Sequence, residues 1–522
     1  MSLLNHTNNW IETMSTSDEL RNWTRRQFVR GAFGSTALLA TTTVAACKDV
    51  GIAQTLLGQE QNSLAIPPLE KGSLVDGERV FDLSIRAGQK SFGGGRMSPT
   101  IGINGPYLGP TLEMRRGEKV RFNVQNGIDE DISVHWHGFE LPAASDGGPH
   151  QAIPPGGRWT PGFEVRQRAS LYWYHSHALH RSGPQVYAGL AAGIYVRDDE
   201  EDSLDLPSEY GVDDIPLVVQ DRILGADGSL VYPTGMHSRM MGVIGDRLFV
   251  NGTENPVFEA RTGLLRLRLL NGSNARIYEF YLDGGRSMQL IGSDGGLLDR
   301  SHVVSRVSLS PGERAQVVID LSDGAPVRLR AASPANSAGM MGNMGGMMGG
   351  SRRGNREESF TVLNILPDRA VRSQRRIPTE LSRLPAFDVS RAVRTRRFVL
   401  DMAMGMGMGG GFTINGTSMD MDVIDERVQV NEWEIWEIDN RSMMAHPFHI
   451  HNVQFRIIDR NGRPPSPLES GLKDTVLVES GEQVRLLLRF EENTDPDIPY
   501  MYHCHILEHE DAGMMGQFVV VQ

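Results

Sequence analysis

Apolar and polar residues alternate along this chain in short runs, each closed by turn residues. Val80-Phe81-Asp82-Leu83-Ser84-Ile85 puts every second side chain on an apolar face, and residues 119–124 repeat the pattern after the turn Arg116-Gly117-Glu118. Leu264-Leu265-Arg266-Leu267-Arg268-Leu269-Leu270 does so again, and residues 315–319 follow the turn Pro311-Gly312-Glu313. Period-two alternation bounded by turns predicts β-strands with one face on a core. Long runs at helical spacing are few, and 58 Gly with 27 Pro favour strands and turns. An all-β protein is expected.

A chain of 522 residues exceeds what one core holds, so three domains are expected. The acidic stretch 198–214 and the basic, Pro-containing stretch 367–394 mark the breaks. The expected organisation is a signal segment 1–47, a polar linker 48–75, domains at 76–205 and 206–367, a linker 368–395, and a last domain 396–522. The net charge of −12 argues against nucleic acid as a partner.

The first residues look like an export signal. Thr24-Arg25-Arg26-Gln27-Phe28-Val29 is a twin-arginine pattern ahead of a weakly apolar run of small residues, 31–46. Export to the periplasm is expected. Val44-Ala45-Ala46-Cys47 resembles a lipobox, so the alternatives are lipidation of Cys47, giving a membrane anchor, or plain cleavage nearby. Met14 is a second candidate start. The chain has two cysteines; one is in this tail, so no disulfide is expected and Cys504 is kept for chemistry.

That chemistry is legible around Cys504. In His503-Cys504-His505, an extended backbone sends both imidazoles to one side and the thiol to the other. His509 and Met514 lie just beyond. Two His, one Cys and a weak thioether form the ligand set of a blue-copper centre. His446, set apart before Pro447, supplies the second imidazole. The paired His recur as 135/137, 175/177, 449/451 and 503/505. With 15 His in 522 residues, chance yields roughly 0.4 such pairs. Coincidence is excluded, and a metal cluster is expected. His237 and His302 stand alone and read as surface or packing residues.

Methionine is used unusually. Residues 339–350 combine Met340, Met341, Met344, Met347 and Met348 with Gly, and Met402, Met404, Met406 and Met408 form a second cluster, with Met419 and Met421 beyond. Glycine at that density disfavours helix and strand. Soft thioethers select Cu(I), so these segments are candidate copper collectors, with neutral linkers as the alternative.

Together and in order, these motifs resemble the multicopper oxidases, most closely the bacterial periplasmic copper-efflux (cuprous) oxidases. Asp146-Gly147-Gly148-Pro149, Leu267-Arg268-Leu269-Leu270-Asn271-Gly272 and Ser293-Asp294-Gly295-Gly296 extend the resemblance. It implies three cupredoxin-like β-sandwich (Greek-key) domains and four copper ions. Type 1 copper would be held by His446, Cys504 and His509, with Met514 axial, and type 2 copper by His135 and His449. The type 3 pair would take His137, His175, His177, His451, His503 and His505. Substrate electrons would enter at type 1 copper and pass through Cys504 and its neighbours to the cluster, where O₂ becomes water. Asp146 and Glu510 would deliver protons, and Met444 would lie on the substrate side. The chain departs from the pattern at Ser442, where copper-efflux oxidases carry an acidic residue. The donors implied are Cu(I) or, in a laccase-like alternative, phenols; a copper-sequestering protein is the alternative of another class. A monomer is expected.

Overall fold

The structure is a computed structural model describing residues 62–93, 95–334, 358–368, 376–402 and 411–522. The export signal with Cys47, the Met-rich segment 339–350, and Met404, Met406 and Met408 lie outside the described residues.

The alternating runs form strands as their pattern demands. Glu78–Ser91 buries Phe81, Leu83 and Ile85 while Asp82 stays exposed, and it pairs in parallel with Lys119–Gly127, which buries Val120, Phe122 and Val124. The sheet they build faces a second one ordered Leu69–Glu70, Thr111–Arg115, Ala191–Arg197, Ser170–His175, His135–His137. Their shared core includes Phe122 stacked on Trp136, ring centroids 3.9 Å apart.

Two further sandwiches follow. One pairs an eight-stranded sheet, centred on Asp214–Leu224, Leu264–Asn271 and Arg314–Asp320, with a six-stranded sheet containing Pro256–Ala260, Tyr278–Leu282 and Ser359–Pro367. Leu267, Val317, Phe280 and Ile365 meet between them. The last pairs two five-stranded sheets. The first contains Ala392–Met402 and Trp433–Asn440; the second contains His446–Ile450, Asp495–Cys504 and Met515–Val521. Trp436, Phe448, Tyr502 and Phe518 fill their interface. The fold is three cupredoxin-like sandwiches in sequence.

Two local outcomes differ from what the pattern suggests. Residues within the expected linker form the short strands Asn62–Ser63, Leu69–Glu70 and Ser73–Val75. Asn62–Ser63 pairs with Pro256–Ala260, nearly two hundred residues away. The polar face of Leu264–Asn271 is also not solvated: Arg266 and Arg268 are both 0% exposed. Arg266 reaches Glu201 at 3.0 Å, and Arg268 reaches Glu201 at 2.8 Å and Asp214 at 2.7 Å. The arginine face is therefore covered and neutralised by acidic groups, as a buried guanidinium requires.

His237 is exposed on the short helix Met236–Met241, and His302 is half-buried on Gly296–Val304. Among the described residues, no helix is long and apolar enough to cross a membrane.

Candidate metal centre

Four strands carry the paired histidines to one place. In the first sandwich, His135–His137 and Ser170–His175 pair antiparallel, with His135 opposite His175. In the third, His446–Ile450 pairs with Asp495–Cys504, with His449 opposite His503 and Phe448 opposite Cys504. Period two then directs both imidazoles of a pair to one side. The eight rings of His135, His137, His175, His177, His449, His451, His503 and His505 are each at most 1% exposed. Their nitrogens form sets within 4.8 Å: His135, His449 and His451; His137, His175 and His505; His177, His451 and His503.

The outer nitrogens show what the inner ones are for. His135 Nδ1 donates to the Asp146 carbonyl at 3.0 Å, His175 Nδ1 to the Ser176 carbonyl at 2.8 Å, and His449 Nδ1 to the Asp474 carbonyl at 2.8 Å. His503 Nδ1 donates to the Cys504 carbonyl at 3.0 Å, and His451 Nδ1 to Asp146 Oδ2 at 2.7 Å. His137 is turned the other way, its Nε2 donating to Asp474 Oδ1 at 3.0 Å. These acceptors fix the tautomers and leave lone pairs pointing inward. The inward Nε2 atoms of His135, His175 and His449 and Nδ1 of His137 have no hydrogen-bond partner. His451 Nε2 and His503 Nε2 approach to 3.3 Å with a proton on neither. Lone pairs in that arrangement are satisfied by cations, so the residues fit a metal cluster.

Burial favours the neutral form of the rings whose pKa it lowers. It lowers the pKa values of His137, His175, His177, His449 and His503 well below the usual range, helped by neighbouring imidazoles. His451 falls to about 4 and His505 to about 3, again chiefly through burial. Neutral imidazole is the form that ligates.

Two carboxyls border the cluster in opposite states. Burial acts to raise the pKa of Asp146, but His451 and His135 outweigh it and hold the group below the usual carboxylate range. Asp146 ends the turn of helix Ala143–Ser145. Gly147 follows at φ +81°, where a Cβ would sit 1.8 Å from the Val134 carbonyl oxygen. Only glycine fits there, which explains the Asp146-Gly147 sequence. Glu510, on helix Leu507–Asp511, lies 3.4 Å from His177 Nδ1 and 3.3 Å from His503 Nδ1. Burial, with repulsion from Asp511, raises its pKa well above the usual carboxylate range, which favours the protonated form.

The thiol of Cys504 faces the other way. His446 Nδ1 lies 3.3 Å from Cys504 Sγ, His509 Nδ1 lies 3.6 Å from it, and the two nitrogens are 3.3 Å apart. The point equidistant from all three is about 2 Å from each, the length of a bond from imidazole or thiolate to a first-row metal. All three side chains are 0% exposed, as is Met514, whose carbonyl accepts the Cys504 N–H at 3.0 Å. Burial pushes the thiol pKa far above normal, so a thiolate forms there only beside a cation.

The ring orientations of this set are fixed by groups that carry no motif. His446 Nε2 meets Ser442 Oγ at 2.7 Å, and His509 Nε2 donates to the Met240 carbonyl at 3.1 Å. Phe412 stacks on His509 with centroids 3.9 Å apart. Phe412 in turn pairs with Met402 across Ala392–Met402 and Phe412–Ile414, the two strands that bracket Met404, Met406 and Met408. Met444 packs on the same core as Cys504, and the Met419 N–H donates to the Gly513 carbonyl at 3.0 Å.

Sequence reading missed Asp474, which serves His137 through its carboxylate and His449 through its carbonyl. It also missed the helix Met236–Met241, whose Met240 carbonyl accepts from the His509 ring. Asp474 sits in no repeated pattern, so only the fold reveals it. The helix carried a readable signal, the thioethers of Met236 and Met240 four residues apart.

Two family models, each described as multicopper oxidase, match residues 84–201 and 390–522. Multicopper oxidase mco of Staphylococcus aureus is 34% identical over 469 residues, covering 89% of this chain and 94% of the relative. Cell division protein FtsP of Pectobacterium atrosepticum is 35% identical over 502 residues, 95% of this chain and 98% of the relative. Among solved structures, the laccase-like multicopper oxidase CueO from the lignin-degrading bacterium Ochrobactrum sp. is similar with a TM-score of 0.78 and 36% identity. The match covers 88% of this chain and all of that one, and that protein is described as active towards lignin model compounds and lignosulfonate.

Proposed function

This chain belongs to the multicopper oxidase family, copper-containing oxidoreductases that use O₂, and from that premise we propose that its electron donor is Cu(I), oxidised to Cu(II) in periplasmic copper detoxification. In this reading His446, Cys504 and His509, with Met514 axial, hold type 1 copper, and His135 with His449 hold type 2. His137, His175 and His505 hold one type 3 ion, and His177, His451 and His503 the other, making four per chain. Copper bound there supplies one-electron couples and the centre at which four electrons and four protons turn O₂ into two waters.

The chain's own residues do the rest. Cys504 is joined by one peptide bond to His503 and by another to His505, a short covalent path from donor side to cluster. Glu510, whose burial beside His177 and His503 favours its protonated form, delivers protons. Asp146, ionised under His451 and His135, orients those rings and receives protons in transit. The twin-arginine pattern places the protein outside the cytoplasm, either free or held by a lipid on Cys47.

What carries the cuprous reading is the convergence of methionine-bearing segments on the Cys504 set. Met240, whose carbonyl accepts from the His509 ring, Met402 paired with Phe412, Met419 beside Gly513 and Met444 just before His446 all belong to segments that border it. Thioethers attract cuprous ion and exclude bulky organics. One observation favours the laccase-like reading, oxidation of phenols. Ser442 spends its hydroxyl on His446 and offers no carboxylate to a metal substrate. Steady-state O₂ consumption by copper-loaded protein separates the two. Cu(I) should give a kcat/KM at least tenfold above that of a simple phenol; a phenol preference would hand the assignment to the laccase-like reading.

A further inference from the structure

The middle sandwich lacks paired histidines, yet one of its side chains reaches the cluster. Arg314 opens the strand Arg314–Asp320 and is 1% exposed. A buried guanidinium has five N–H donors to satisfy. Nη1 donates to Asp474 Oδ1 at 2.7 Å and Nη2 to Asp474 Oδ2 at 2.6 Å, a two-pronged pair on one carboxylate. Nη1 also donates to the Gly312 carbonyl at 3.1 Å, Nη2 to the Asp294 carbonyl at 3.1 Å, and Nε to the Leu171 carbonyl at 3.1 Å. Every donor is used. The partners come from all three sandwiches: Leu171 from the first, Gly312 and Asp294 from the middle, Asp474 from the third.

Asp474 passes this constraint on. Its Oδ1 accepts from His137 Nε2, and its carbonyl accepts from His449 Nδ1. The inward nitrogens of both rings are unpartnered. The same turn brings Gly312 against the cluster, where a Cβ would lie 2.8 Å from His505 Cδ2.

We propose that Arg314 is a positioning residue for O₂ reduction: acting through Asp474, it sets the orientation of His137 and His449, so the middle sandwich is part of the catalytic centre. A planar fork fixes a carboxylate in two directions, which a lysine's point charge does not. The proposal rests on the assignment of His137 and His449 to the copper cluster.

The test uses full-length, copper-loaded Arg314→Met and Arg314→Lys, with Asp474→Asn and the double variant Arg314→Met/Asp474→Asn. Copper content and blue absorption are measured first. Wild-type protein holding only the Cys504-bound copper would overturn the cluster assignment itself, apart from this inference. With the cluster loaded, Arg314→Met should lower kcat about 10- to 100-fold and leave the KM for the electron donor and the blue band unchanged. The paramagnetic resonance hyperfine splitting of the copper on His135 and His449 should change. Arg314→Lys should fold and recover part of kcat without restoring the wild-type splitting. If Arg314 acts through Asp474, the double variant should match the worse single variant rather than multiply the two losses. An unchanged splitting and kcat in Arg314→Lys, or multiplicative losses in the double variant, would overturn the proposal.

Discussion

At the scale of single residues, the decisive fact is which atoms in the buried interior have no proton to share. Among the described residues Cys504 sits between two imidazole nitrogens with no cationic side chain against it, the setting of a metal ligand. Cys504→Ser should remove the blue absorption and reduce turnover to background, while the histidine cluster still takes up copper. Absorption near the thiolate charge-transfer band and metal analysis on one preparation check this. Residue identity made most of this site legible from sequence, because a metal demands imidazoles and thiolate, and few other roles place four His-x-His pairs in one chain. Asp474 and Arg314 stayed hidden for the opposite reason. Carboxylates and guanidinium groups serve many roles, and their meaning here comes only from what the fold puts beside them.

At the scale of elements, alternation predicted strands well because one face of each is usually wet. It misreads a strand whose second face meets another part of the molecule, as at Arg266 and Arg268. It also misses strands such as Asn62–Ser63, whose only reason to extend is a distant partner. The hairpin of Ala392–Met402 with Phe412–Ile414 shows what an element adds to a motif. Its register pairs Met402 with Phe412, which stacks on His509, so both strand ends that flank Met404, Met406 and Met408 in the sequence meet beside the Cys504 set. Met402 packs on the core and is best left alone. Changing Met404, Met406 and Met408 to Ser should lower kcat/KM for Cu(I) about tenfold or more, about 1.4 kcal/mol of transition-state stabilisation. Phenol oxidation should hold. Equal loss with both donors would mean that the segment supports the fold of the site rather than the capture of copper.

At the scale of the whole molecule, the first and middle sandwiches are joined through a buried charge network. Glu201 holds Arg266 and Arg268, with Arg197 at 3.2 Å and Asp214 completing the set. Burial works to raise the Glu201 pKa, but the arginines overcome it and keep the carboxylate well below its usual range. A depressed folded-state pKa means that its stabilising contribution is full above the ordinary glutamate value of about 4.3 and fades as pH falls below it. Glu201→Gln leaves two buried cations short of a partner and should cost about 3–5 kcal/mol. Chemical denaturation at pH 7 should show that loss, and the gap to the unmodified protein should narrow as the pH drops towards 3. A constant gap across that range would mean the carboxylate's charge is not what matters.

The two proposed metal-binding groups also differ in how many sandwiches supply their ligands. His446, Cys504, His509 and Met514 all lie in the last sandwich, whereas the eight-imidazole group is split between the first and the last. Maturation therefore has an order written into the chain. If these groups take copper as proposed, a molecule whose C-terminal third has folded should turn blue before its N-terminal third has docked, but stay silent towards oxygen until the halves close. Colour and respiration, usually read as one property, become separate clocks on the same polypeptide. During refolding with copper, the interval between them measures how long the sandwiches take to find each other.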